Sequence, residues 1–233
     1  MSKCRTEQVT CSRCHYDSPM QVWESINTDL DPELAERFLN GELFPWKCEV
    51  CGEEMMVPFG TIYHDMEHRF MLFFDPWDDN RKEDEDFDFT MPDGFNLPDY
   101  TFRFVYGMNA LKEKNRILSA GLNDIVVERM KAFIHLNPEN NVRESDEVLF
   151  YGIDDSDEAK EKTGWQRGAI LFVRLRENAE PKILPFSVNL YYDKLAVEID
   201  PRMAVKGCAC VDKEWMNRQP VSYTHLTLPT NSL

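Results

Sequence analysis

Long apolar runs and an export signal are both missing from the sequence. No stretch approaches the roughly 20 consecutive apolar residues that a membrane helix needs. The chain starts with MSKCRTE, and no apolar segment follows this basic start, which does not fit a secretory signal peptide. We therefore expect a cytoplasmic protein that does not associate with a membrane.

Positive charge is also scarce. The sequence has 42 acidic residues against 26 lysines and arginines, which gives a formal net charge of -16. Proteins that bind nucleic acid or an anionic membrane surface mainly through electrostatic attraction need a basic face. We therefore expect the partner to be another protein, and the charge balance disfavours nucleic acid.

Recognisable catalytic motifs are absent as well. The sequence contains no glycine-rich phosphate-binding loop and no Gly-x-Ser-x-Gly nucleophile motif. No catalytic residue and no reaction are therefore assigned from motifs.

The seven cysteines carry the strongest signal in the sequence. An odd number without an export signal argues against a disulfide framework. Four of them form two pairs with the same two-residue gap, and such a gap lets a tight turn aim both sulfurs at one point. Zinc binds four thiolates tetrahedrally at about 2.3 Å. We predict that one structural zinc ion is held by Cys11, Cys14, Cys48 and Cys51.

Two other chemistries use the same residues. A thioredoxin-type redox pair has a single Cys-x-x-Cys that leads into a helix, whereas this chain has two pairs and neither is followed by a helical pattern. Iron–sulfur ligation uses the same spacing and stays open as an alternative. Four protein ligands close the coordination shell, so the ion would stabilise folding and would not act as a Lewis acid.

The residues around the two pairs fit knuckle turns. Gly52 follows the second pair, where a positive φ angle is usual and glycine adopts it without strain. His15 holds the same place after the first pair, and we expect a turn residue there in preference to a fifth ligand. Cys4, Cys208 and Cys210 are interpreted as small apolar residues.

The N-terminal segment predicts strands around one short helix. Residues 21–26 mix β-branched and aromatic side chains and are typical of a strand. Asp31 is a good N-cap, Pro32 suits the first helical position, and Gly41 fits just past the helix end. Residues 55–62 and 68–74 are expected to form two strands joined by residues 63–67.

The rest of the chain predicts a central helix pair followed by strands. A strand begins at Tyr100, and apolar residues at helical spacing indicate two helices, the first closed by Gly121 and the second ended near Pro138. Beyond residue 145 the candidate strands are 148–153, 169–176, 183–191 and 196–200.

These elements define an α+β fold: a zinc-ribbon-like small antiparallel sheet with a helical insert, a central helix pair and a mostly antiparallel β region. A chain of 233 residues suits one large domain or two small ones. The predicted division is a zinc-ribbon unit at 1–75, an acidic loop at 76–99, a strand and helix pair at 100–137, a β-rich unit at 145–218, and a non-native or disordered tail at 219–233.

The order of several motifs resembles the CpXC domain family of prokaryotic proteins. The resemblance rests on the two cysteine pairs, the stretch WESIN at 23–27, LDPEL at 30–34, GELF at 41–44, YHDM at 63–66 and GLND at 121–124. It implies a zinc-ribbon-like metal site and carries over no catalytic residue. Ser12 and Glu49 stand where the family has the prolines that give it its name.

The function that fits best is a zinc-stabilised cytoplasmic module that binds or bridges other proteins. One alternative is a zinc-ribbon protein associated with nucleic acid, for which the best basic candidates are Arg103, Lys112, Lys114 and Arg116.

A second alternative is an enzyme with His64 as general base, oriented by Asp65 near the ribbon. Adjacent strand residues point to opposite faces, so this arrangement requires a turn between them. The simpler interpretation is a hydrogen-bonded turn histidine.

Overall fold

The structure is a computed structural model that describes residues 2–77, 100–185, 192, 205 and 208–219. Over these residues the chain has the predicted α+β fold, with eleven strands and five α-helices. The strands are β1 (Lys3–Thr10), β2 (Asp17–Asn27), β3 (Pro45–Lys47), β4 (Glu54–Met56), β5 (Thr61–Asp65), β6 (Phe70–Asp75), β7 (Thr101–Tyr106), β8 (Glu147–Asp154), β9 (Ala169–Leu175), β10 (Lys182–Pro185) and β11 (Cys208–Ala209). The helices are α1 (Pro32–Leu39), α2 (Met108–Ser119), α3 (Asp124–Leu136), α4 (Asp157–Thr163) and α5 (Lys213–Arg218). Among the described residues, no helix has the length and apolar character needed to cross a membrane.

Six strands form one mixed sheet in the order β1-β2-β5-β6-β7-β11. The pairs β1/β2 and β5/β6 are antiparallel, whereas β2/β5, β6/β7 and β7/β11 are parallel. The predicted small antiparallel sheet is present in part, as the antiparallel pairs β1/β2 and β3/β4, but β1/β2 belongs to a larger sheet that also contains parallel pairs. The physical reason is that α1 and the β3–β4 hairpin form a crossover between β2 and β5, which permits parallel pairing.

The region after the second cysteine pair has three strands where the sequence predicted two. Pro58 and Gly60 interrupt the run 55–62, because proline cannot donate a ladder hydrogen bond and glycine weakens a strand. The predicted connection at residues 63–67 is therefore partly wrong. Residues 63–65 belong to β5, and the turn to β6 comprises residues 66–69.

Helix α1 begins and ends where the sequence predicts, but its cap differs. Asp31 stands at the N-cap position and makes no side-chain cap hydrogen bond. Its Oδ2 instead accepts a hydrogen bond from the backbone N–H of Ser2 at 3.2 Å. Pro32 occupies the first turn as expected, and Gly41 follows the helix with a φ of +78°.

An aromatic cluster fills the space between the main sheet and helices α1 and α2. Phe38 of α1 is fully buried at its centre. Its ring centroid lies 5.4 Å from that of Phe74 and 5.7 Å from that of Phe44, both edge to face. Tyr63 and Val105 complete the sheet side of this core. Edge-to-face pairs of this kind add to the stabilisation from burial.

A second core lies between α3 and the C-terminal strands. β8, β9 and β10 form an antiparallel sheet in the order β10-β9-β8, which confirms the antiparallel character predicted for this region. Met130 and Ile134 of α3 pack with Phe150 and Phe172 of that sheet. The sequence patterns did not indicate α4 or α5, and β11 pairs with β7 of the first sheet.

Some predicted elements lie outside the described residues. They are most of the acidic loop 76–99, the end of the strand 183–191, the strand 196–200 and nearly all of the tail 219–233. The domain boundaries given above stay predictions.

A buried ion network joins the first sheet, both central helices and the C-terminal segment. The guanidinium of Arg103 donates to both oxygens of Asp124, at 2.7 and 2.9 Å. Lys114 Nζ donates to Asp124 Oδ2 at 2.9 Å and to the Val211 carbonyl at 2.6 Å. Burial alone would raise the pKa of Asp124, but Lys114 and Arg103 outweigh it and hold that pKa well below its usual value. The carboxylate is therefore the shared anion of two buried cations.

We expect Asp124→Asn to destabilise the protein by about 3–5 kcal/mol, because it leaves two buried cations without a counter-charge. The native carboxylate is stabilised by folding, so its contribution is present above its ordinary pKa and is lost as the pH falls below it. Urea titrations across acidic and neutral pH measure both effects. Asp157→Asn, whose side chain is fully exposed, is the control. Equal unfolding free energies for the two variants would contradict the network's role.

Phe38→Ala is expected to lower the free energy of unfolding by about 3–5 kcal/mol, since it opens a cavity in the centre of the aromatic cluster. Chemical denaturation monitored by fluorescence gives the value. Leu30→Ala, at a residue with 59% exposure, is expected to change it by less than about 0.5 kcal/mol. A loss below about 1 kcal/mol in Phe38→Ala would show that this core is not close-packed.

Candidate metal centre

Each Cys-x-x-Cys pair lies in the turn of a β-hairpin. The last pair of residues between β1 and β2 is Thr10 with Asp17, so residues 11–16 form the first turn. The last pair between β3 and β4 is Lys47 with Glu54, so residues 48–53 form the second. The two turns therefore have the same length and carry their cysteines at equivalent positions.

The two turns also share one backbone hydrogen-bond pattern. In the first turn, Cys11 N–H donates to the Tyr16 carbonyl and His15 N–H donates to the Cys11 carbonyl, both at 3.0 Å. The second turn repeats both bonds at the equivalent positions, at 2.9 and 3.0 Å. Backbone structure alone thus orients the two pairs in the same way.

A positive φ angle closes each turn. It is +58° at His15 and +72° at Gly52, the two positions at which the sequence predicted it. His15 therefore acts as a turn residue, and the group of potential ligands contains only the four cysteines. Histidine tolerates this left-handed conformation better than most residues other than glycine.

The four sulfurs converge on one point. The Sγ atoms of Cys11 and Cys51 lie 3.6 Å apart, as do those of Cys14 and Cys48, and all four lie within 4.8 Å of one another. Tetrahedral bonds of about 2.3 Å to a central ion require sulfurs about 3.8 Å apart. The geometry therefore fits a single metal ion with four cysteine ligands, which are the four residues predicted from the sequence.

Backbone amides in the turns are directed at the sulfurs. Hydrogen bonds from Cys51 and Val50 lower the pKa of the Cys48 thiol to about 6. A backbone hydrogen bond from Tyr16 also lowers the pKa of Cys14, but burial and the three neighbouring thiols raise it to about 12. Cys48 thus ionises readily, and its negative charge opposes the ionisation of the neighbouring Cys14. A bound cation removes that conflict, because thiolates are its ligands.

Apolar packing supports the cluster from the side of β2 and β3. Cys11 and Cys48 are buried with Met20, Val22 and Trp46. The indole of Trp46 donates to the Pro19 carbonyl at 3.3 Å and so ties β3 to β2. This packing holds the two hairpins together through protein contacts alone, without a contribution from a metal ion.

The three other cysteines lie outside this group. Cys4 is exposed and accepts a hydrogen bond from Gln21 at 3.1 Å. Cys208 is buried, and the Cys210 thiol donates to Asp212 at 3.1 Å. Within the described ranges, the four clustered cysteines are the one group of three or more ligand-type side chains with metal-binding geometry.

The enzyme alternative requires Asp65 to orient His64, whereas the structure pairs each of these residues with a different side chain. Both residues lie in β5, and the Asp65 carboxylate contacts Nδ1 of His68 at 2.9 Å and accepts the His68 backbone N–H at 2.7 Å. His64 Nε2 instead lies 3.3 Å from the Tyr100 hydroxyl. Burial lowers the pKa of His64, so its ring is neutral at neutral pH. The three-residue spacing of Asp65 and His68 is the signal that the sequence interpretation missed, since such a spacing suits a side chain that caps a turn.

His64 also lies far from the cysteines. It pairs with Asn27 at the end of β2, while the first cysteine turn precedes Asp17 at the other end of this 11-residue strand. At about 3.3 Å per residue the separation along the strand is about 30 Å. The histidine and the cysteine cluster are therefore separate sites.

The predicted basic candidates do not form one face. Arg103 and Lys114 are buried in the ion network with Asp124. Arg116 is exposed and Lys112 is half-buried. Two of the four cations are therefore not available to phosphate groups.

Fold and site together define an α+β protein with a four-cysteine cluster that can bind a metal ion. A family model described as CpXC protein matches residues 9–131, which include all four cysteines. Because the match covers more than half of the 233 residues, the chain belongs to the CpXC family, which confirms the resemblance. No curated protein and no solved structure matches the chain.

We expect Cys48→Ser to abolish stoichiometric metal binding and to lower the melting temperature by about 10 °C, because it removes one of the four sulfurs that can bind an ion between the two hairpins. Elemental analysis and calorimetry of the purified protein measure the two effects. Cys4→Ser, at an exposed cysteine outside the group, is expected to change neither. Full metal content in Cys48→Ser would exclude Cys48 as a ligand.

Proposed function

We propose that the four cysteines hold one Zn²⁺ ion, and that the two hairpins around it form a zinc ribbon in a protein-binding or adaptor module of the cytoplasm. The convergence of four sulfurs from two equivalent turns carries the proposal. Four thiolates in a tetrahedral shell are typical of structural zinc. All four positions are then filled by the protein, so the ion supplies folding energy and leaves no position for a substrate.

The cytoplasm fits the chemistry of these ligands. Glutathione and thioredoxin keep cytoplasmic cysteines reduced, and reduced cysteines are available as metal ligands. The described cysteines include no disulfide, and Cys11 and Cys48 are buried beside their partners as free thiols.

An exposed edge strand supports protein binding. β1 is the first strand of the main sheet, and seven of its eight residues are exposed. Among the described residues no other strand pairs with its outer edge. An edge of this kind can accept a strand from another protein. β1 runs directly into the first cysteine turn, so zinc would fix the position of this edge.

Exposed apolar side chains on the two turns support the same function. Tyr16, next to the first pair, is 51% exposed, and Val50, inside the second pair, is 62% exposed. The turns meet at the cysteine cluster, and Arg13 and Glu53 form an ion pair at 3.4 Å between them. Apolar residues on a rigid support are suitable anchors for a partner.

The alternatives have weaker support. The net charge of -16 and the burial of Arg103 and Lys114 disfavour a nucleic-acid partner. Asp65 is engaged by His68, which disfavours the enzyme that uses His64 and Asp65.

The double change Tyr16→Asp and Val50→Asp is expected to abolish capture of specific partners from native lysate, because it places two charges in an apolar contact. Affinity purification with mass spectrometry compares it with the wild type. Leu30→Asp, at an exposed residue in the connection before α1, is the matched control and is expected to retain the partners. Zinc content is measured in every variant to show that the ribbon is intact.

Retention of the same partners by the double variant would overturn the role of the two turns. Release of the partners by nuclease treatment would instead favour the nucleic-acid alternative.

A further inference from the structure

The outer edge of β1 offers its backbone to a further strand. Along its eight residues β1 pairs with β2 alone, and no described residue outside β2 hydrogen-bonds to its backbone. The edge strand β8 differs, because its Phe150 N–H donates to the Glu113 carboxylate of α2 at 2.6 Å. About half of the N–H and C=O groups of β1 therefore point outward, where another strand can bond to them.

Two opposite charges lie next to this open edge. Arg5 and Glu7 share one face of β1, because successive side chains of a strand alternate between faces. Arg5 Nη2 lies 2.6 Å from Glu7 Oε1, and Arg5 Nη1 lies 3.0 Å from Glu24 Oε1 on β2. The Arg5 and Glu7 side chains are still 56% and 46% exposed. Both charges can therefore contact a strand that pairs with β1.

Symmetry limits how two copies of β1 can pair with each other. If a two-fold axis normal to the sheet relates two antiparallel strands, one residue on the axis faces its own copy. The longest overlap results with Thr6 or Glu7 on the axis, since both are central in β1. With Glu7 there, two like charges would lie directly opposite each other, which is destabilising. With Thr6 there, two threonines face each other, which is a favourable pair.

The pairing with Thr6 on the axis makes the charges complementary. Arg5 then lies directly opposite Glu7 of the second copy, and the same contact recurs on the other side of the axis. Opposite Cβ atoms are about 5 Å apart, closer than the roughly 7 Å between alternate side chains of one strand. The four charges form an alternating ring on one face. On the other face Cys4 lies opposite Gln8 of the second copy, without a charge conflict.

We infer that β1 pairs antiparallel with β1 of a second copy of this chain, with Thr6 on the two-fold axis. The two six-stranded sheets become one continuous sheet. The inference rests on the proposed function, in which the β1 edge binds another protein, and it names a second copy as that partner. Since the strands are antiparallel, the first cysteine turns of the two copies lie at opposite ends of the pair.

Sedimentation equilibrium of the purified, full-length, metal-loaded protein tests whether the dimer exists. We expect a reversible monomer–dimer equilibrium with a dissociation constant on the order of 10 µM, because one strand pair buries less area than a standard protein interface. A protein that stays monomeric up to about 500 µM, fifty times this value, would overturn the inference.

Two charge variants test the pairing. Arg5→Glu and Glu7→Arg each place like charges opposite each other in the dimer, so each is expected to weaken self-association about tenfold or more. A mixture of the two variants is expected to form heterodimers with near wild-type affinity, because every glutamate then faces an arginine. Native mass spectrometry distinguishes the species. The controls are Arg37→Glu and Glu36→Arg, which make the same charge changes at exposed positions of α1.

Cross-linking tests the position of the axis independently of charge. Thr6→Cys in a Cys4→Ser background is expected to form an intermolecular disulfide with oxidised glutathione, because residues that face each other have Cα atoms within disulfide range. Gln8→Cys in the same background is the control. It lies on the same face and is also exposed, but its two copies would be about 13 Å apart along the strands.

Several results would overturn the inference. They are unchanged self-association in both single charge variants, no heterodimer in their mixture, or equal cross-linking of Thr6→Cys and Gln8→Cys. A monomeric protein that still captures partners through Tyr16 and Val50 would remove this inference and leave the adaptor function. A dimer with the expected variant effects, but without partners from lysate, would support the pairing and remove the adaptor function.

Discussion

The convergence of four sulfurs from two hairpin turns is the constraint on which the N-terminal half of the molecule depends. A two-stranded hairpin alone is marginally stable in water, and β3 and β4 have only three residues each. The cluster joins this short hairpin to the longer β1–β2 hairpin. Since β2 continues into the main sheet and α1 lies in the chain between Cys14 and Cys48, a metal ion at this point closes a loop around α1. One coordination sphere at this point would link the hairpins, the sheet and the helix that packs on it.

Charged side chains have a comparable organising role in the interior. Asp124 joins β7, α2 and the C-terminal segment through Arg103, Lys114 and the Val211 carbonyl. Lys131 joins α2 and α3 through two carboxylates, one of which accepts an N–H of β8. Buried ion pairs of this kind contribute little net stability compared with apolar packing, but breaking one is costly. They fix the positions of α2 and α3 relative to each other and to β8.

The features that could be predicted from the sequence are local ones. The spacing of the cysteines identifies all four residues of the cluster, because a knuckle turn is specified by a few neighbouring residues. Pro32 and Gly41 mark the ends of α1 for the same reason. Periodic apolar residues likewise indicate α2 and α3, and the C-terminal strands were found from their β-branched and aromatic residues.

The features that were missed depend on distant partners or on charge. β1 was not predicted because its residues are polar and exposed, and it exists through pairing with β2. The parallel pairing of β2 with β5 requires the whole crossover and leaves no local pattern. Glu128 and Lys131 lie three residues apart on α3, which in a sequence is indistinguishable from an ion pair on a solvated helix face. Their burial follows from β8 and α5, which come later in the chain.

The most direct test of the central claim is X-ray absorption spectroscopy at the metal edge of the purified protein, after the metal has been identified and counted. We expect one zinc ion per chain with four sulfur neighbours at about 2.3 Å and no nitrogen or oxygen neighbour. A metal-free protein, a shell with fewer than four sulfurs, or iron in place of zinc would contradict the structural zinc centre.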